Sequence, residues 1–515
     1  MANLRESLSY EPVELKFGTS GLRGLVTDMT DLECYINTAG FMQFLEASEG
    51  IKSGSIIYLA GDLRDSTPRI MAAVQAAIED AGHVVSYLGL IPTPALAFYA
   101  LEHQSSGIMV TGSHIPADRN GIKFYKSAGE VLKADEAGIK SAVTIARSNI
   151  YGQDLSTTRF NANGMITNAP TLPETVVQAA TDYLERYTRV FSSETFAGKK
   201  LVFYQHSAVG RDLLVDLFRK LGAEVEPVDR AETFIPIDTE DVTPENKAYF
   251  KKLAETHPGV FAIISTDGDS DRPFVIDETG EFHRGDVLGA VVTDWLKADF
   301  AAFPISVNDA VDQHLTERGV EWKHTKIGSP HVIVAMQEAE AAGKKRVVGW
   351  EVNGGFLTGS AFDVNGQKLA ALPTRDAAFP IIVALVAAAK SNQKVSDIFA
   401  KLPQRFTGSG LIDNFPIDVA KSIVAKFAND TDEIKAELAT YFSSERGFGA
   451  IKSINSLDGA RIFFDNGDIA HLRPSGNAPQ LRIYSVANTQ ERADEIVELA
   501  IVEPDGIFRA MESKN

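Results

Sequence analysis

Short apolar runs alternate with helical stretches over most of the 515-residue chain, and this alternation restricts the fold more than any other feature. Ile56 to Ala60, Ile108 to Val110, Leu201 to Tyr204 and Val260 to Ile264 have the composition of buried strands. A stretch with helical periodicity lies between most of them. Such alternation is typical of α/β sheets covered by helices. The sequence therefore predicts an α/β protein, and its length indicates about three to four domains.

Three of the predicted strands run directly into polar loops. The first loop follows Ile108 to Val110 and contains Ser113, the second follows Val260 to Ile264 and begins at Asp267, and the third contains Glu351. Open α/β sheets bind their ligands outside the carboxyl ends of the strands. We therefore expect these three loops to face one cleft.

The strict alternation ends after Pro403. Strands are predicted over Ser409 to Asp418 and Asn455 to Asp465, with a helical stretch over Ala420 to Tyr441 between them. This order is typical of a separate α+β domain. The predicted division of the chain is into three α/β domains over residues 1–155, 172–280 and 281–400, and an α+β domain over 404–515.

The second loop reads Asp267-Gly268-Asp269-Ser270-Asp271-Arg272. Carboxylates at i, i+2 and i+4 repel one another unless a cation lies between them, and hard oxygen ligands suit Mg²⁺ or Ca²⁺. A solvated acidic turn explains the same residues about equally well. An EF-hand loop starting here would place Glu278 at its twelfth position, but Arg272 stands where that loop needs Gly. An aspartyl-phosphate nucleophile is a further alternative.

The first loop reads Thr111-Gly112-Ser113-His114-Ile115-Pro116. A serine hydroxyl on a turn after a strand is exposed enough to act as a nucleophile or to carry a phosphoryl group. A turn-stabilising serine is the ordinary alternative. Lys123, on the strand that returns, could act as acid, base or charge clamp beside the same turn. An exposed strand lysine is its ordinary alternative.

Two further loops carry polar groups suited to a sugar phosphate. Arg473 to Asn477 and Arg482 offer guanidinium forks, a hydroxyl and backbone N–H groups, which together suit a phosphate dianion. Glu351 and Asn353 offer acceptors for neighbouring sugar hydroxyls. Each of these loops, taken alone, is also explained as a simple connection between strands.

The charge balance excludes some classes of partner. Fifty basic against 69 acidic side chains give a formal net charge of −19. This argues against non-specific binding to nucleic acid and against docking to an anionic membrane. Cys34 is the single cysteine, which fits a reducing compartment. Residues 1–14 have no signal-type apolar core, and Ala377 to Ala389 is too short to span a bilayer. We expect a cytoplasmic protein, either a monomer or a homodimer.

Together the four loops resemble the α-D-phosphohexomutase superfamily. Thr111 to Pro116, Asp267 to Arg272, Trp350 to Gly355 and Arg473 to Pro479 are similar to its phosphoserine, metal, sugar and phosphate loops, in the same order and spacing. Phe17 to Gly24 is similar to its N-terminal loop. The resemblance covers nearly the whole chain. The resemblance to bacterial phosphomannomutases is strongest in two stretches, Glu351 to Phe356 and Leu372 to Asp376.

This resemblance implies three related α/β domains around a cleft and a C-terminal domain similar to the TATA-binding protein. It implies interconversion of mannose 6-phosphate and mannose 1-phosphate through a phosphoserine and a hexose bisphosphate. Phosphoglucomutase activity or a dual activity is the alternative within the superfamily. A sugar-phosphate-binding regulator without catalysis and an aspartyl-phosphate enzyme are the alternatives from other classes.

The resemblance also implies the roles of residues. Ser113 would carry the phosphoryl group, and Mg²⁺ would be held by that phosphate with Asp267, Asp269 and Asp271. The other implied catalytic residues are His114, Lys123, Arg23 and Arg272, and the implied substrate-binding residues are Glu351, Asn353, Arg473, Ser475, Gly476, Asn477 and Arg482.

The sequence departs from the superfamily pattern at three positions. Asn353 replaces the usual Ser and Asn477 the usual Thr, and both keep hydrogen-bonding capacity. Gly355 stands where some members have a His that is proposed to transfer protons. Candidates for proton transfer are therefore Lys123, Arg23 and His114.

Overall fold

The computed structural model describes residues 3–18, 21–240, 242–475 and 479–514. It divides into two compact units. One comprises Met1–Asp299 with Gly328–Ile398, and the other comprises Phe300–Ile327 with Phe399–Asn515. Sheets flanked by helices make up the first unit, as the alternating sequence predicts, and the α/β class is confirmed.

The first sheet has the strand order β1-β2-β6-β5-β3-β4, with β7 paired to β6. Strands β3 and β5 are parallel, whereas β5 and β6 are antiparallel, so the loop containing Ser113 joins two neighbouring antiparallel strands. The elements in chain order are α1 Leu4–Ser7, β1 Lys16–Phe17, β2 Gly21–Leu25, α2 Asp31–Ser48, β3 Ile56–Gly61, α3 Thr67–Asp80, β4 Val84–Leu90, α4 Thr93–Glu102, β5 Ser106–Val110, β6 Arg119–Lys126, β7 Gly129–Glu130 and α5 Glu136–Tyr151.

The second sheet has the order β12-β11-β10-β8-β9. Strand β10 is parallel to β8 and antiparallel to β11, with Thr266 opposite Pro273, so the acidic loop is the turn of a hairpin. A strand after the loop rules out the EF-hand alternative, which requires a helix there. The elements are α6 Gln178–Thr188, β8 Lys200–His206, α7 Arg211–Lys220, β9 Glu224–Arg230, α8 Pro244–Thr256, β10 Ala262–Thr266, β11 Pro273–Ile276 and β12 Phe282–His283.

The third region contributes the antiparallel ladder β15-β16-β19 to the first unit. Trp350 pairs with Phe356, so Glu351 lies in another hairpin turn. Strands β13 and β14 form a parallel pair and belong, with α10, to the second unit. The elements are α9 Gly285–Leu296, β13 Phe300–Pro304, α10 Asp309–Glu317, β14 Glu321–Thr325, α11 Ser329–Ala341, β15 Val347–Trp350, β16 Phe356–Thr358, β17 Phe362–Val364, β18 Gln367–Leu369, β19 Leu372–Asp376, α12 Ala378–Lys390 and α13 Val395–Phe399.

The C-terminal part of the second unit is an antiparallel sheet of order β20-β24-β23-β22-β21 with helices packed on it, which confirms the predicted α+β class. The loop after Arg473 joins β23 to β24. The elements are β20 Phe406–Ile412, α14 Ile417–Lys426, α15 Asp432–Leu438, a 3-10 turn Ser444–Arg446, β21 Ile451–Asn455, β22 Ala460–Phe464, β23 Ile469–Pro474, β24 Leu481–Ala487, α16 Gln490–Ile501 and α17 Ile507–Ser513.

Three predicted elements of this part need correction. The strand predicted over Asn455 to Asp465 is two strands, because Gly459 has a φ of +94° and turns the chain between them. The helix predicted over Ala420 to Tyr441 is also two helices. Thr431 starts the second of them by accepting a hydrogen bond from the N–H of Ile434. The strand predicted over Ser409 to Asp418 ends at Ile412.

Across the described ranges of the chain, every helix is too short or too polar to cross a membrane. The apolar stretch Ala377 to Ala389 lies almost entirely within α12, which is almost completely buried in the first unit. Pro380 lies in its first turn, where the missing N–H breaks no helical hydrogen bond.

Candidate active site

Ser113 lies in the turn that follows β5, and its side chain is fully buried. Its φ of +56° is in the left-handed region, which residues with a Cβ rarely adopt. The hydroxyl donates a hydrogen bond of 2.7 Å to Oδ2 of Asp267, and the N–H donates one of 2.8 Å to Oγ1 of Thr111. The structure thus brings the serine of the first sheet to the acidic hairpin of the second.

The acidic hairpin places three buried carboxylates close together. One oxygen from each of Asp267, Asp269 and Asp271 lies within 4.8 Å of the other two. Gly268 permits this arrangement beside the serine turn, because a Cβ there would lie 2.6 Å from the carbonyl oxygen of Ser113. The loop is also closed on itself, since the N–H groups of residues 271 and 272 donate to Oδ1 of Asp267.

These carboxylates fit a divalent metal ion. Oδ1 of Asp269 and Oδ1 of Asp271 are buried and accept no hydrogen bond from any residue that the structure describes. Burial and the charges of Asp269 and Asp271 together raise the pKa of Asp267 well above its ordinary value. A cation among the three oxygens would reduce the repulsion between the carboxylates and would provide a partner for the two unpartnered oxygen atoms.

Lys123 comes to the same cluster from β6. Its Nζ donates to Oδ2 of Asp269 at 2.5 Å and to Oδ2 of Asp271 at 2.8 Å. Thr93 adds a third hydrogen bond, of 2.6 Å, to the same oxygen of Asp269. The lysine is buried, so the exposed-lysine alternative is wrong. The second oxygens of two carboxylates are therefore neutralised by one ammonium group, while the first oxygens are left for another cation.

Arg375, on β19, is a site residue that the sequence reasoning missed. Its Nε and Nη2 donate to Oδ2 of Asp271 at 3.1 and 2.9 Å, and its Nη1 donates to Oε2 of Glu351 at 2.9 Å. Burial disfavours its charge, but the carboxylates of Asp271 and Glu351 outweigh burial and raise its pKa. One guanidinium thus links the acidic loop to the loop containing Glu351. The signals in the sequence are an arginine within a strand-like stretch and the place of that stretch, Leu372 to Asp376, in the resemblance.

The loop after β15 holds Glu351 and Asn353, both buried. The side chain of Asn353 makes hydrogen bonds within the loop and to a neighbouring residue. Its Oδ1 accepts from the N–H of Gly355 at 3.0 Å, and its Nδ2 donates to Oε1 of Glu240 at 3.1 Å. Asn353 therefore fixes the shape of the turn, while Glu351 is fixed from the outside by Arg375.

Arg272 and Arg23 add positive charge around the acidic loop. The guanidinium of Arg272 lies 3.8 Å from the carboxylate of Asp267 and 3.7 Å from that of Asp271. Arg23, on β2, has an exposed side chain whose charge interacts with those of Asp269, Asp271 and Arg272. Both arginines predicted from the sequence are thus brought to the cluster.

His114 follows the candidate nucleophile directly. Its Nδ1 lies 3.5 Å from Oγ of Ser113, and its Nε2 lies 3.9 Å from the carboxylate of Asp238. Burial and the positive charges of Arg272 and Arg23 hold the pKa of His114 well below its ordinary value. The imidazole is therefore neutral at neutral pH.

In the second unit, Arg473 and Arg482 are direct partners across the β23–β24 pair. Arg473 donates a hydrogen bond of 3.2 Å to Asp458, whereas Nε of Arg482 has no hydrogen-bond partner among the described residues. Like charges directly opposite each other in a sheet are destabilising unless an anion lies between them. Ser475 is buried at the start of the loop, and Gly476 and Asn477 lie outside the described residues.

A hydroxyl that is hydrogen-bonded into a cluster of carboxylates, with cations around it, is suited to phosphoryl transfer, where positioning and charge neutralisation do most of the work. The fold and the site therefore define a phosphoryl-transfer enzyme. Comparison with known proteins narrows this class. Residues 14–149 match the family model "Phosphoglucomutase/phosphomannomutase, alpha/beta/alpha domain I" and residues 284–406 match the model of domain III.

The similarity to individual proteins extends over nearly the whole chain. A phosphomannomutase from Sinorhizobium fredii is 39% identical over 487 residues, which cover 94% of this chain and 97% of the relative. A phosphomannomutase from Salmonella muenchen is 38% identical over 491 residues and covers 95% of each. The chain belongs to the phosphoglucomutase/phosphomannomutase family and is a phosphohexomutase, an isomerase.

A solved structure supports the fold independently. A phosphoglucomutase/phosphomannomutase family protein from Burkholderia thailandensis superposes with a TM-score of 0.69, covering 96% of each chain at 19% identity. At such low identity the likeness concerns the fold alone. It agrees with an arrangement of several α/β domains followed by an α+β domain.

Proposed function

We propose that this enzyme interconverts mannose 6-phosphate and mannose 1-phosphate. The observation that carries the proposal is the hydrogen bond from Oγ of Ser113 to Asp267, inside a cluster of three carboxylates. The choice of mannose is supported by the names of the two relatives that share over a third of their residues with this chain.

In the proposed reaction, the phosphorylated Ser113 transfers its phosphoryl group to a hydroxyl of the hexose phosphate. The bond from phosphorus to Oγ breaks, a bond from phosphorus to the sugar oxygen forms, the proton of the sugar hydroxyl is taken up by a group of the site, and Oγ of Ser113 receives a proton from a group of the site. The resulting bisphosphate reorients, and its other phosphoryl group returns to Ser113. The net reaction moves a phosphate from one end of the sugar to the other and consumes nothing.

We propose Mg²⁺ as the metal, held by Asp267, Asp269, Asp271 and the phosphate on Ser113. When bound, it neutralises charge on the transferred group. Two of these carboxylates keep an oxygen without a partner in the described part of the chain. Lys123 holds the opposite oxygens of the same two carboxylates and so orients them.

The groups proposed for proton transfer and charge neutralisation lie around the same hydroxyl. His114 provides a neutral imidazole beside Oγ of Ser113, and Lys123, Arg23 and Arg272 provide cations. General acid–base catalysis needs such a group within hydrogen-bond reach of the proton it moves, and contacts of this kind often tighten when substrate binds.

We propose that Glu351 and Asn353 bind sugar hydroxyls and that Asn353 also shapes their loop. A mutase must bind each sugar in two orientations, so these residues serve the hydroxyls common to both poses, at C3 and C4. The non-reacting phosphate is assigned to Arg473, Ser475, Gly476, Asn477 and Arg482. Two facing arginines, one with an unpartnered Nε in the described chain, support this assignment. We also keep the division into domains over 1–155, 172–280, 281–400 and 404–515.

This arrangement implies weak discrimination at C2, where mannose and glucose differ. A site that leaves the differing hydroxyl without an obligatory buried partner discriminates by about 1–3 kcal/mol, or about 10- to 200-fold. We therefore propose that mannose phosphates are preferred and that glucose 1-phosphate is also converted.

The test is a coupled assay of kcat/KM with mannose 1-phosphate and with glucose 1-phosphate, in the presence of Mg²⁺. The same enzyme is digested and its phosphate mapped. Turnover of mannose 1-phosphate in excess over glucose 1-phosphate, with phosphate on Ser113, supports the proposal. Preference for glucose 1-phosphate overturns the choice of sugar, and phosphate on Asp267 overturns the choice of nucleophile.

A further inference from the structure

Arg64 lies between β3 and α3, and its side chain is almost completely buried. Its guanidinium donates to four backbone carbonyl oxygens, three in the loop that carries Ser113 and one at the first residue of β6. Nη1 donates to Pro116 at 2.7 Å and to Arg119 at 2.8 Å. Nη2 donates to Ser113 at 3.1 Å and to Ile115 at 2.6 Å. One side chain thus holds the chain from Ser113 to the start of β6.

Asp62 binds both Arg64 and the first residue of the same loop. Its Oδ2 lies 3.3 Å from Nε of Arg64 and accepts a hydrogen bond of 2.7 Å from Oγ1 of Thr111. That hydroxyl oxygen in turn accepts from the N–H of Ser113 at 2.8 Å. Both backbone polar groups of Ser113 are therefore fixed, the N–H through Thr111 and the carbonyl oxygen by Arg64.

Two further contacts restrict the guanidinium. A Cβ at Gly112 would lie only 2.6 Å from Cζ of Arg64, so the backbone of the loop packs directly against the guanidinium. Cζ also lies 3.8 Å from the centre of the Phe234 ring, a cation–π contact. A planar, five-donor group with these neighbours cannot shift without disturbing the contacts that hold the loop.

We propose that Arg64 is a positioning residue that holds the Ser113 turn in its left-handed conformation and so aims Oγ at the acidic hairpin. This inference rests on the proposed function, in which Ser113 carries the phosphoryl group. A left-handed φ is unfavourable for serine, and it persists where surrounding contacts over-determine it. Arg64 supplies four of those contacts. Displacement of a reacting atom by about 1 Å costs about 100-fold in rate.

The test compares Arg64→Lys and Arg64→Met with the wild type. Lysine keeps the charge but has a single ammonium group in place of the planar, five-donor guanidinium, so it cannot donate to four carbonyl oxygens at once. We expect kcat to fall about 100-fold in both variants, with KM changed less than about threefold because Arg64 is assigned no substrate contact. We also expect slower phosphorylation of Ser113 by hexose 1,6-bisphosphate. In Arg64→Gly, added guanidinium ion should restore part of kcat.

The matched control is Arg147→Lys. Arg147 is a largely buried arginine that packs in the same region as the first sheet. Its two Nη atoms donate to the carboxylate of Glu33 at 2.6 and 2.7 Å. Among the described residues, none of its hydrogen bonds goes to the Ser113 loop. We expect this variant to have a lower midpoint of thermal unfolding and an unchanged kcat. The control separates loss of stability from loss of positioning.

A folded Arg64→Lys enzyme with wild-type kcat overturns the inference, and so does an equal fall of kcat in Arg64→Lys and Arg147→Lys at equal loss of stability. If Arg64→Met does not fold, Arg64→Lys alone decides. The two proposals fail differently. A wild type without hexose-phosphate turnover and without phosphate on Ser113 contradicts the proposed function. An active wild type with phosphoserine and an unaffected Arg64→Lys contradicts only the role of Arg64.

Discussion

Two buried serines of the first unit share one backbone conformation and differ in what surrounds them. Ser113 has a φ of +56° and Ser270 a φ of +57°, and each lies in a hairpin turn that follows a buried strand. The hydroxyl of Ser113 donates to the carboxylate of Asp267. The hydroxyl of Ser270 accepts from the N–H of Gly210 at 3.0 Å and lies 2.8 Å from Oγ1 of Thr266.

The difference shows that a strained turn alone does not identify a reactive hydroxyl. Ser270 lies in the middle of the acidic sequence, yet its hydroxyl joins the loop to the start of α7. Ser113 is contributed by another sheet, and its hydroxyl points at the carboxylates. The hydrogen-bond partner of the hydroxyl therefore distinguishes the serine at the candidate active site from the serine that only stabilises its loop.

The largest expected effect is that of Ser113→Ala. We expect turnover of mannose 1-phosphate to fall by more than about 10³-fold, because the acceptor of the phosphoryl group is removed. The fold should persist, as judged by circular dichroism and thermal unfolding. Substantial turnover by this variant, or an acid-labile phosphate on an aspartate of the wild type, would reverse the roles assigned to the two loops.

Asp269→Asn tests the residue that precedes Ser270. It removes one charge and one oxygen ligand from the cluster. We expect Mg²⁺-dependent turnover to fall by about 100-fold or more while the fold is kept. Mg²⁺ titration of the initial rate is the measurement. The matched control is Asp277→Asn, a buried aspartate of the same sheet that binds Thr279 and His283. Normal turnover of Asp269→Asn at low Mg²⁺ would show that the metal lies elsewhere.

Glu351→Ala extends the comparison to the third hairpin turn. We expect kcat/KM to fall about 10- to 100-fold for mannose 1-phosphate and glucose 1-phosphate together, because a charged hydrogen bond common to both sugars is lost. Arg473→Ala should also lower both values by loosening the non-reacting phosphate. Loss of one activity with the other spared would mean that Glu351 reads the C2 hydroxyl.

The smallest expected effect is that of Ser270→Ala. It removes a hydroxyl that binds backbone and Thr266, and we expect about 1–2 kcal/mol less free energy of unfolding. We expect kcat within about threefold of the wild type, since the carboxylates stay in place. Chemical denaturation and the coupled assay measure the two quantities. A loss of turnover as large as that of Ser113→Ala would remove the distinction between the serines.

The sequence predicted the α/β class and the three polar turns because buried strands leave a local apolar signal. Strand β5 ends with its apolar run at Val110, whereas β10 continues two residues beyond its run, to Thr266. The structure brings Ser113, Asp267 and, through Arg375, Glu351 together. Arg272, at the position where an EF-hand loop needs Gly, already argued against that alternative, and the second strand of the hairpin, β11, excludes it.

Arg375 and Arg64 were not predictable in the same way. Arg375 binds Asp271 across 104 residues of sequence, and Arg64 binds the serine loop across about 50. No period or composition marks such partners, and a lone arginine in a short strand, as at Arg375, or in a polar loop, as at Arg64, looks like a surface residue. The cytoplasmic location, the choice between monomer and homodimer and the domain boundaries stay predictions.

The acidic hairpin also has a consequence for how the molecule assembles. Its three carboxylates lie at i, i+2 and i+4 of one turn, whereas the hydroxyl of Ser113 reaches Asp267 across 154 residues. Closing a long loop costs more chain entropy than closing a short one. The contact between Ser113 and Asp267 therefore forms only when the first two sheets have docked, so the capacity for phosphoryl transfer belongs to the docked pair and not to either hairpin alone.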